Sequence, residues 1–140
     1  MKKVLLFAAL LAFGSASVTN AQSAASAATA NGAQMKFKTA ETHDFGEIVE
    51  SDNPYEHKFE FTNTGKTALI IQTVTAGCGC TTPEWSKQPV LPGKTSVISV
   101  KYNSKGRIGP FTKEVFVKSN ATAEPYTLHI KGVVKAPPGK

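Results

Sequence analysis

The fold is constrained most strongly by an alternation of apolar and polar residues with a period of two. In the segment 57–62, Phe59 and Phe61 alternate with charged and polar residues. Successive side chains of a β-strand point to opposite faces, so this pattern predicts a strand with one buried face. The alternation recurs, with turn-forming residues between the repeats, in the segments 97–102, 114–118 and 126–131.

Strands account for the whole predicted domain, because no segment carries the apolar stripe of a helix. A further strand is predicted from Glu84 to Val90, and the continuous apolar run Leu69-Ile70-Ile71 is typical of a central strand. Short strands at this spacing favour an all-β, immunoglobulin-like sandwich of two antiparallel sheets with about seven strands, and a small barrel is the alternative. The other six strands are predicted near residues 42–50, 56–63, 67–75, 95–102, 111–118 and 125–134.

The N-terminal residues are typical of a cleaved signal peptide. Lys2 and Lys3 precede an apolar run from Val4 to Phe13, and small residues lead to a cleavage site after Ala21. The apolar run is too short to span the roughly 30 Å of bilayer hydrocarbon as a helix, so no transmembrane segment is predicted. The chain is therefore expected to be exported, either to the periplasm or out of the cell.

The predicted organisation is a signal peptide (1–21), a flexible spacer (22–35), the sandwich domain (36–135) and a tail (136–140). Between Gln22 and Gln34 the chain has no charge and no large apolar residue. Such a segment cannot bury enough surface to offset the entropy lost on ordering. Its many alanines leave a helix as the alternative.

Charge argues against nucleic acid as a partner. Without Lys2 and Lys3 the chain has 14 basic and 10 acidic residues, a net charge of +4, which is too mild and too dispersed for a nucleic-acid footprint. Acidic residues concentrate in the segment 41–60 and basic ones in 90–119, so strands from the two segments are expected to lie side by side. The alternative is a basic face, directed at an anionic envelope surface, that comprises Lys101, Lys105, Arg107 and Lys113.

Several motifs resemble the secreted bacterial family catalogued as domain of unknown function 1573. The resemblance extends over about residues 37–134, and Gly77-Cys78-Gly79-Cys80-Thr81-Thr82-Pro83 is its most specific part. The other motifs that carry it are His43-Asp44-Phe45-Gly46-Glu47-Ile48, Phe59-Glu60-Phe61-Thr62-Asn63-Thr64-Gly65, Leu91-Pro92-Gly93, Tyr102-Asn103, the turn 106–111, Val115-Phe116-Val117-Lys118-Ser119-Asn120 and Ile130-Lys131-Gly132.

What this resemblance implies concerns the fold and the compartment. The family is similar to the immunoglobulin-like sandwiches of Hydin-type and major-sperm-protein-type domains, which serve mainly as interaction modules, and its members are exported by bacteria. It implies no activity, because sandwiches of this class host many unrelated functions.

Cys78-Gly79-Cys80 is the one motif whose residue types allow a specific chemistry, namely disulfide formation, metal binding or thiol exchange. A fully extended two-residue step spans roughly 6.6 to 7.2 Å between Cα atoms, so a disulfide here requires a bend, which Gly77 and Gly79 permit. A ring of three residues gains only about 1.6 kcal/mol by loop closure, so the bond would be a weak staple and comparatively reducible.

Three interpretations of the cysteine pair stay open at this stage. The first is a local disulfide or thiol pair that only shapes its loop, as an oxidising compartment favours. The second is a soft-metal site, in which Cys78 and Cys80 hold copper(I) and a histidine (His43, His57 or His129) completes the shell. The third is a thiol-disulfide exchange centre, although the Cys-x-x-Cys spacing and the helix N-terminus of such centres are missing.

The remaining candidates are single residues. His57 alternates in register with Phe59, so we expect a half-buried core histidine, whereas His129 falls on the polar face of the last strand. Trp85 is expected to plug one end of the sandwich, or else to form a contact surface beside the cysteines. Arg107 and Lys105 lie in a glycine-rich turn and are minor candidates for contact with an anion.

No motif of a hydrolase, a metalloprotease or a nucleotide-binding protein occurs in the sequence. The leading hypothesis is therefore a non-enzymatic, exported module without a cofactor that binds a protein or another envelope component, through a sheet edge or the cysteine-loop end. The alternative is a periplasmic copper-binding or thiol-redox protein that uses Cys78 and Cys80. A strand-donating chaperone is a third possibility, and it requires an exposed apolar edge strand.

Overall fold

The structure, a computed structural model, describes residues 32–139, so the predicted signal peptide (1–21) and the first part of the predicted spacer (22–31) lie outside the described residues. Within residues 32–139 there is no helix, and hence none long and apolar enough to cross a membrane. The eight strands are β1 (Met35–Phe37), β2 (Thr42–Val49), β3 (Tyr55–Asn63), β4 (Ile71–Ala76), β5 (Thr81–Trp85), β6 (Thr95–Tyr102), β7 (Gly109–Ser119) and β8 (Tyr126–Lys135).

Two four-stranded sheets make up the sandwich. The first sheet has the order β1-β3-β6-β5 and the second has the order β2-β8-β7-β4. This arrangement confirms the predicted all-β, immunoglobulin-like two-sheet sandwich. One pair differs from the predicted antiparallel pattern: β2 runs parallel to β8, with Thr42 opposite His129 and Val49 opposite Lys135. The chain changes sheets between β1 and β2, which brings β2 alongside the last strand in the same direction.

The core lies between the sheets and follows the period-two alternation. Its fully buried residues come from both inner faces, and each such side chain contributes about 1.5–3 kcal/mol on burial. The first sheet contributes Phe59, Phe61, Ile98 and Val100, and the second contributes Val115, Val117, Leu128 and Ile130.

The apolar run Leu69-Ile70-Ile71 does not form the predicted central strand. Leu69 is buried in an isolated bridge to Val90, Ile70 is 43% exposed, and β4 begins only at Ile71 and lies at an edge. Asn120 holds the backbone here, because its Oδ1 accepts from the Ile70 N–H and its own N–H donates to the Ile70 carbonyl. Leu69 and Ile71 are buried, whereas the exposed Ile70 is held only through its backbone by Asn120. The run is therefore apolar at three successive positions without being a strand that is buried on both faces.

The additional strand also lies earlier than predicted. β5 spans Thr81–Trp85 instead of Glu84 to Val90, and it contains Pro83. A proline argues against a central strand because it cannot donate to the ladder. β5 is an edge strand that pairs only with β6, so this position tolerates the proline.

Residues 33–35, which the sequence assigned to the spacer, pack against the sandwich. Ala33 and Met35 are buried, and Met35 lies opposite Asn63 in the pairing of β1 with β3. The backbone of the segment 32–34 approaches Gly65 closely, because a Cβ on Gly65 would lie 2.1 Å from the carbonyl oxygen of Gly32. A segment without large side chains can thus dock because a glycine on its partner leaves room.

The acidic and basic segments lie side by side, as expected. β3 pairs with β6, and Glu56 lies opposite Lys101 in this register. Three surface ion pairs also join acidic residues of 41–60 to basic residues from later in the chain; exposed pairs of this kind contribute at most about 1 kcal/mol each. They are Asp44 with Lys131, Glu47 with Lys135, and Asp52 with Lys105.

Candidate functional site

Three loops meet at one end of the sandwich, which we call the loop end. They are the segments 50–54 between β2 and β3, 77–80 between β4 and β5, and 103–108 between β6 and β7. The strand register brings them together, because Tyr102, the last residue of β6, lies opposite both Tyr55 and Thr81, the first residues of β3 and β5. The loop end therefore contains the cysteine motif.

Hydrogen bonds tie the three loops into one surface. The Gly106 N–H donates to Glu50 Oε1 at 2.7 Å, and the Ser51 N–H donates to Ser104 Oγ at 3.0 Å. On the other side, the Asn103 N–H donates to the Cys80 carbonyl at 2.9 Å. The loop 103–108 thus contacts both of its neighbours, so the loop end behaves as a unit.

Cys78 and Cys80 form a disulfide, with 5.3 Å between their Cα atoms. This separation is shorter than an extended step, and the required bend is a turn in which the Thr81 N–H donates to the Cys78 carbonyl at 3.3 Å. The two sulfurs differ in access: Cys80 is buried, whereas Cys78 is half-buried. The hydroxyl of buried Thr81 lies 3.7 Å from the Cys78 sulfur and 3.8 Å from the Cys80 sulfur.

The structure does not assemble the predicted copper shell around the cysteines. Among residues 32–139, no group of three or more His, Cys, Asp or Glu side chains is placed to hold a metal ion. Thiolates are the copper(I) ligands, and both sulfurs are engaged in the disulfide. Copper binding therefore stays a prediction for the reduced chain alone.

The predicted basic residues occupy different places. Lys105 and Arg107 lie at the loop end, where Lys105 pairs with Asp52 and Arg107 Nη1 donates to the Lys105 carbonyl at 2.7 Å. The hydrogen bond to Asp52 raises the pKa of Lys105. Lys101 instead pairs with Glu84 at 2.8 Å across the first sheet, and Lys113 occupies a half-buried, inward-facing position of β7. These four residues therefore do not form a single face.

Trp85 lies away from the cysteines, at the far end of β5. It is half-buried against the core, and the Lys87 ammonium lies 3.0 Å from the centre of its ring. Its indole Nε1 is buried without a hydrogen-bond partner among the described residues. The apolar side chain that is exposed at the loop end is instead Ile108, which is 63% exposed.

A stacked pair of histidines, which was not predicted from the sequence, joins the two sheets. The rings of His43 on β2 and His57 on β3 stack with centroids 3.5 Å apart. Each ring also meets a phenylalanine two residues later edge-on, at 4.5 Å for Phe45 and 4.6 Å for Phe59. The repeated His-x-Phe spacing was the available signal. His57 is half-buried, as expected, and His129 lies on the outer face 3.6 Å from Glu114.

Burial favours the neutral form of both stacked histidines. Burial lowers the pKa of His43, although the nearby Asp44 carboxylate opposes this, and burial together with His43 lowers the pKa of His57.

Stacked Tyr102 and Phe111 rings, with centroids 4.0 Å apart, fill the core below the loop end. The loop end therefore rests on an aromatic layer that spans both sheets.

The edge strand β4 does not match that of a strand-donating chaperone. Such a protein needs an apolar edge, whereas the exposed residues of β4 are Gln72, Thr73 and Thr75. Together, the fold and the loop end define an immunoglobulin-like sandwich module with a disulfide-bearing loop.

The family model described as "Protein of unknown function (DUF1573)" matches residues 35–134. The chain belongs to this family, and the match agrees with the resemblance found in the motifs. No curated protein matches the chain.

Solved structures that are this distant in sequence support the fold alone. A crystal structure of a protein of unknown function from Porphyromonas gingivalis W83 is 14% identical, with a TM-score of 0.62, over 75% of this chain and 48% of that one. The secreted serine protease VesC from Vibrio cholerae is 12% identical, with a TM-score of 0.54, over 72% of this chain and 23% of the protease. The chain thus spans about half of the first structure and about a quarter of the second.

Proposed function

We propose that this chain is an exported, non-enzymatic module that binds a protein or another envelope component through its loop end. The observation that carries the proposal is the joining of three loops from both sheets into one surface by the Gly106–Glu50, Ser51–Ser104 and Asn103–Cys80 hydrogen bonds. Rigid scaffolds of this class commonly present binding loops at one end.

The chemistry of the loop end favours a partner with both an apolar and a polar contact. Ile108 exposes a large apolar side chain, and Arg107 beside it is exposed and carries a fixed charge. An apolar anchor next to an arginine is a typical centre of a protein interface. The lysine of this loop contributes less, because Lys105 already pairs with Asp52.

A pair of matched variants tests the proposal. Ile108 is 63% exposed at the loop end and Leu91 is 57% exposed in the turn 91–94, which the strand register places at the opposite end. We expect Ile108→Asp to lower the affinity for an envelope partner by at least about tenfold, and Leu91→Asp to leave it unchanged. The measurement is quantitative capture of one cross-linked partner by each purified variant. Equal capture by both variants would rule out the loop end as the binding surface.

Export is tested independently of binding. The proposal expects the mature chain to begin at Gln22 and to be found in the periplasmic or extracellular fraction. Mass spectrometry of the N-terminus, combined with cell fractionation, measures both. Recovery of the uncleaved chain from the cytoplasm would contradict this part of the proposal.

A further inference from the structure

The disulfide at the loop end differs from a structural staple in its ring size. It closes a loop of only three residues, so loop closure contributes less here than in almost any other disulfide. The local turn is also held without it, because the Thr81, Asn103 and Gly77 N–H groups donate to backbone carbonyls of Cys78, Cys80 and Glu114. Reduction of the bond would therefore leave the loop in place.

The two sulfurs are arranged for attack from one side. Cys78 is half-buried beside two exposed glycines, Gly77 and Gly79, whereas Cys80 is only 6% exposed. An incoming thiolate must reach its target sulfur in line with the bond that breaks, so access selects Cys78 as the attacked atom. Cys80 is then the leaving group.

One neighbouring group can stabilise the thiolate that leaves. The Thr81 hydroxyl lies 3.8 Å from the Cys80 sulfur on a residue that is 4% exposed, so water competes little for its proton. A hydroxyl that donates to the sulfur favours the thiolate form.

We infer that the Cys78–Cys80 disulfide is a thiol-exchange site that accepts two electrons from a dithiol of an exported protein or a small molecule. One thiolate of the dithiol attacks Cys78 Sγ, the Cys78–Cys80 bond breaks, and its electron pair leaves on Cys80 Sγ. The second thiolate of the dithiol attacks its own partner sulfur in the mixed disulfide and releases Cys78 as a thiolate.

The exchange balances without another reactant. The dithiol is oxidised to a disulfide by two electrons, Cys78 and Cys80 are reduced, and the two protons released by the dithiol pass through water to the new thiolates. The inference goes beyond the proposed binding function, although the exchange takes place at the same loop end. The exchange is tested with small thiols and the binding with a protein partner. A negative result for one of the two proposals therefore leaves the test of the other intact.

The first experiment compares reduction of the same bond in the folded and the unfolded chain. Full-length oxidised protein is equilibrated with reduced and oxidised glutathione, with and without urea, then quenched in acid, alkylated and weighed by mass spectrometry. A bond that contributes little to stability should be at most about 15-fold harder to reduce in the folded chain. A larger ratio would identify a structural disulfide and overturn the inference.

The second experiment tests the direction of attack. Cys80→Ser leaves Cys78 free and Cys78→Ser leaves Cys80 free, and we expect Cys78 to react with oxidised glutathione at least about tenfold faster than Cys80. Thermal unfolding of both variants verifies that each remains folded. Equal rates, or a faster Cys80, would contradict the assignment.

Thr81→Val, with the exposed neighbour Thr82→Val as the matched control, tests the hydroxyl. We expect dithiothreitol to reduce the Thr81→Val disulfide severalfold more slowly and the Thr82→Val disulfide at the normal rate. An unchanged rate in Thr81→Val would remove the hydroxyl from the mechanism.

Discussion

The two ends of the sandwich are closed by different kinds of hydrogen bond. At the end opposite the loop end, Asn63 is fully buried, and its Nδ2 donates to the Thr67 and Val90 carbonyls at 2.8 Å each. Its Oδ1 accepts from the backbone N–H groups of Gln34 and Gly65. We call this region the asparagine end.

At the loop end the buried hydroxyl of Ser104 accepts from the Ser51 N–H, but most of the other side-chain contacts are exposed. The Gly106–Glu50 hydrogen bond and the Lys105–Asp52 ion pair both lie at the surface. Water can replace an exposed partner, whereas a buried group that loses its partner retains its full desolvation penalty. The comparison indicates that side-chain hydrogen bonds stabilise the fold more at the asparagine end than at the loop end.

The largest expected effect comes from Asn63→Ala. The substitution leaves buried carbonyls and N–H groups without partners, and we expect it to lower the free energy of unfolding by about 3 kcal/mol. The matched control is Asn103→Ala at the loop end, where an exposed side chain accepts only from the Lys105 N–H; we expect a loss below about 1 kcal/mol. Urea unfolding measures both, and equal losses would remove the difference between the ends.

The next effect concerns two glycines. A Cβ on Gly65 would lie 2.1 Å from the Gly32 carbonyl oxygen and 2.5 Å from the Gln34 nitrogen, so Gly65→Ala must displace the segment 32–34. We expect a loss of about 2 kcal/mol, against about 0.5 kcal/mol or less for Gly79→Ala, which has open space around the added Cβ. Thermal unfolding tests this, and a neutral Gly65→Ala would show that the segment 32–34 is not docked as described.

The smallest effect is a pH dependence confined to the loop-end half. The pKa values of His43 and His57 lie below the ordinary value of 6.5 in the folded protein. The unfolded chain therefore binds more protons in the interval below 6.5, and the free energy of unfolding falls as the pH is lowered through that interval. The stabilising contribution is present above 6.5 and is lost as the pH falls through the folded pKa values.

Hydrogen exchange at about pH 7.5 and about pH 5 locates this effect. We expect the amide of Asn103 to lose more protection than that of Asn63, whose hydrogen-bonding network contains no titratable side chain. The control is a His43→Phe, His57→Phe double variant, which keeps two rings and removes the titration. A pH dependence that persists in this variant would assign the effect to other groups.

Much of the fold was predictable because its signals are local. The alternation around Phe59 and Val115 identified strands, and the Asp-Asn-Pro and Leu-Pro-Gly turns separated them. The errors arose where a distant residue changed the meaning of a local pattern. Ile70 is exposed because Asn120 holds its backbone, and Pro83 fits a strand because β5 has a neighbour on one side only.

The candidate site was predictable in its residue types and not in its assembly. The Cys-Gly-Cys spacing already indicated that a disulfide between these residues would need a bend and would be weak and comparatively reducible, because ring size and chain reach follow from the spacing. The spacing could not indicate that Cys80 is buried while Cys78 is half-buried, because that depends on the packing of β5 against the core. For the same reason the sequence left open a contact surface formed by Trp85 beside the cysteines, although Trp85 lies at the other end of its strand.

The sequence by itself determined most of the strands, the class of sandwich and the Cys-Gly-Cys motif, since periodicity, turn residues and spacing are properties of neighbouring residues. The tertiary structure alone decided that Asn63 is buried, that His43 stacks on His57 and that three loops form one surface. Each of these depends on residues from different strands or loops that meet only when the two sheets pack. Because of burial and long-range pairing, polar residues stabilise the fold at the asparagine end, whereas similar residues remain accessible to solvent at the loop end.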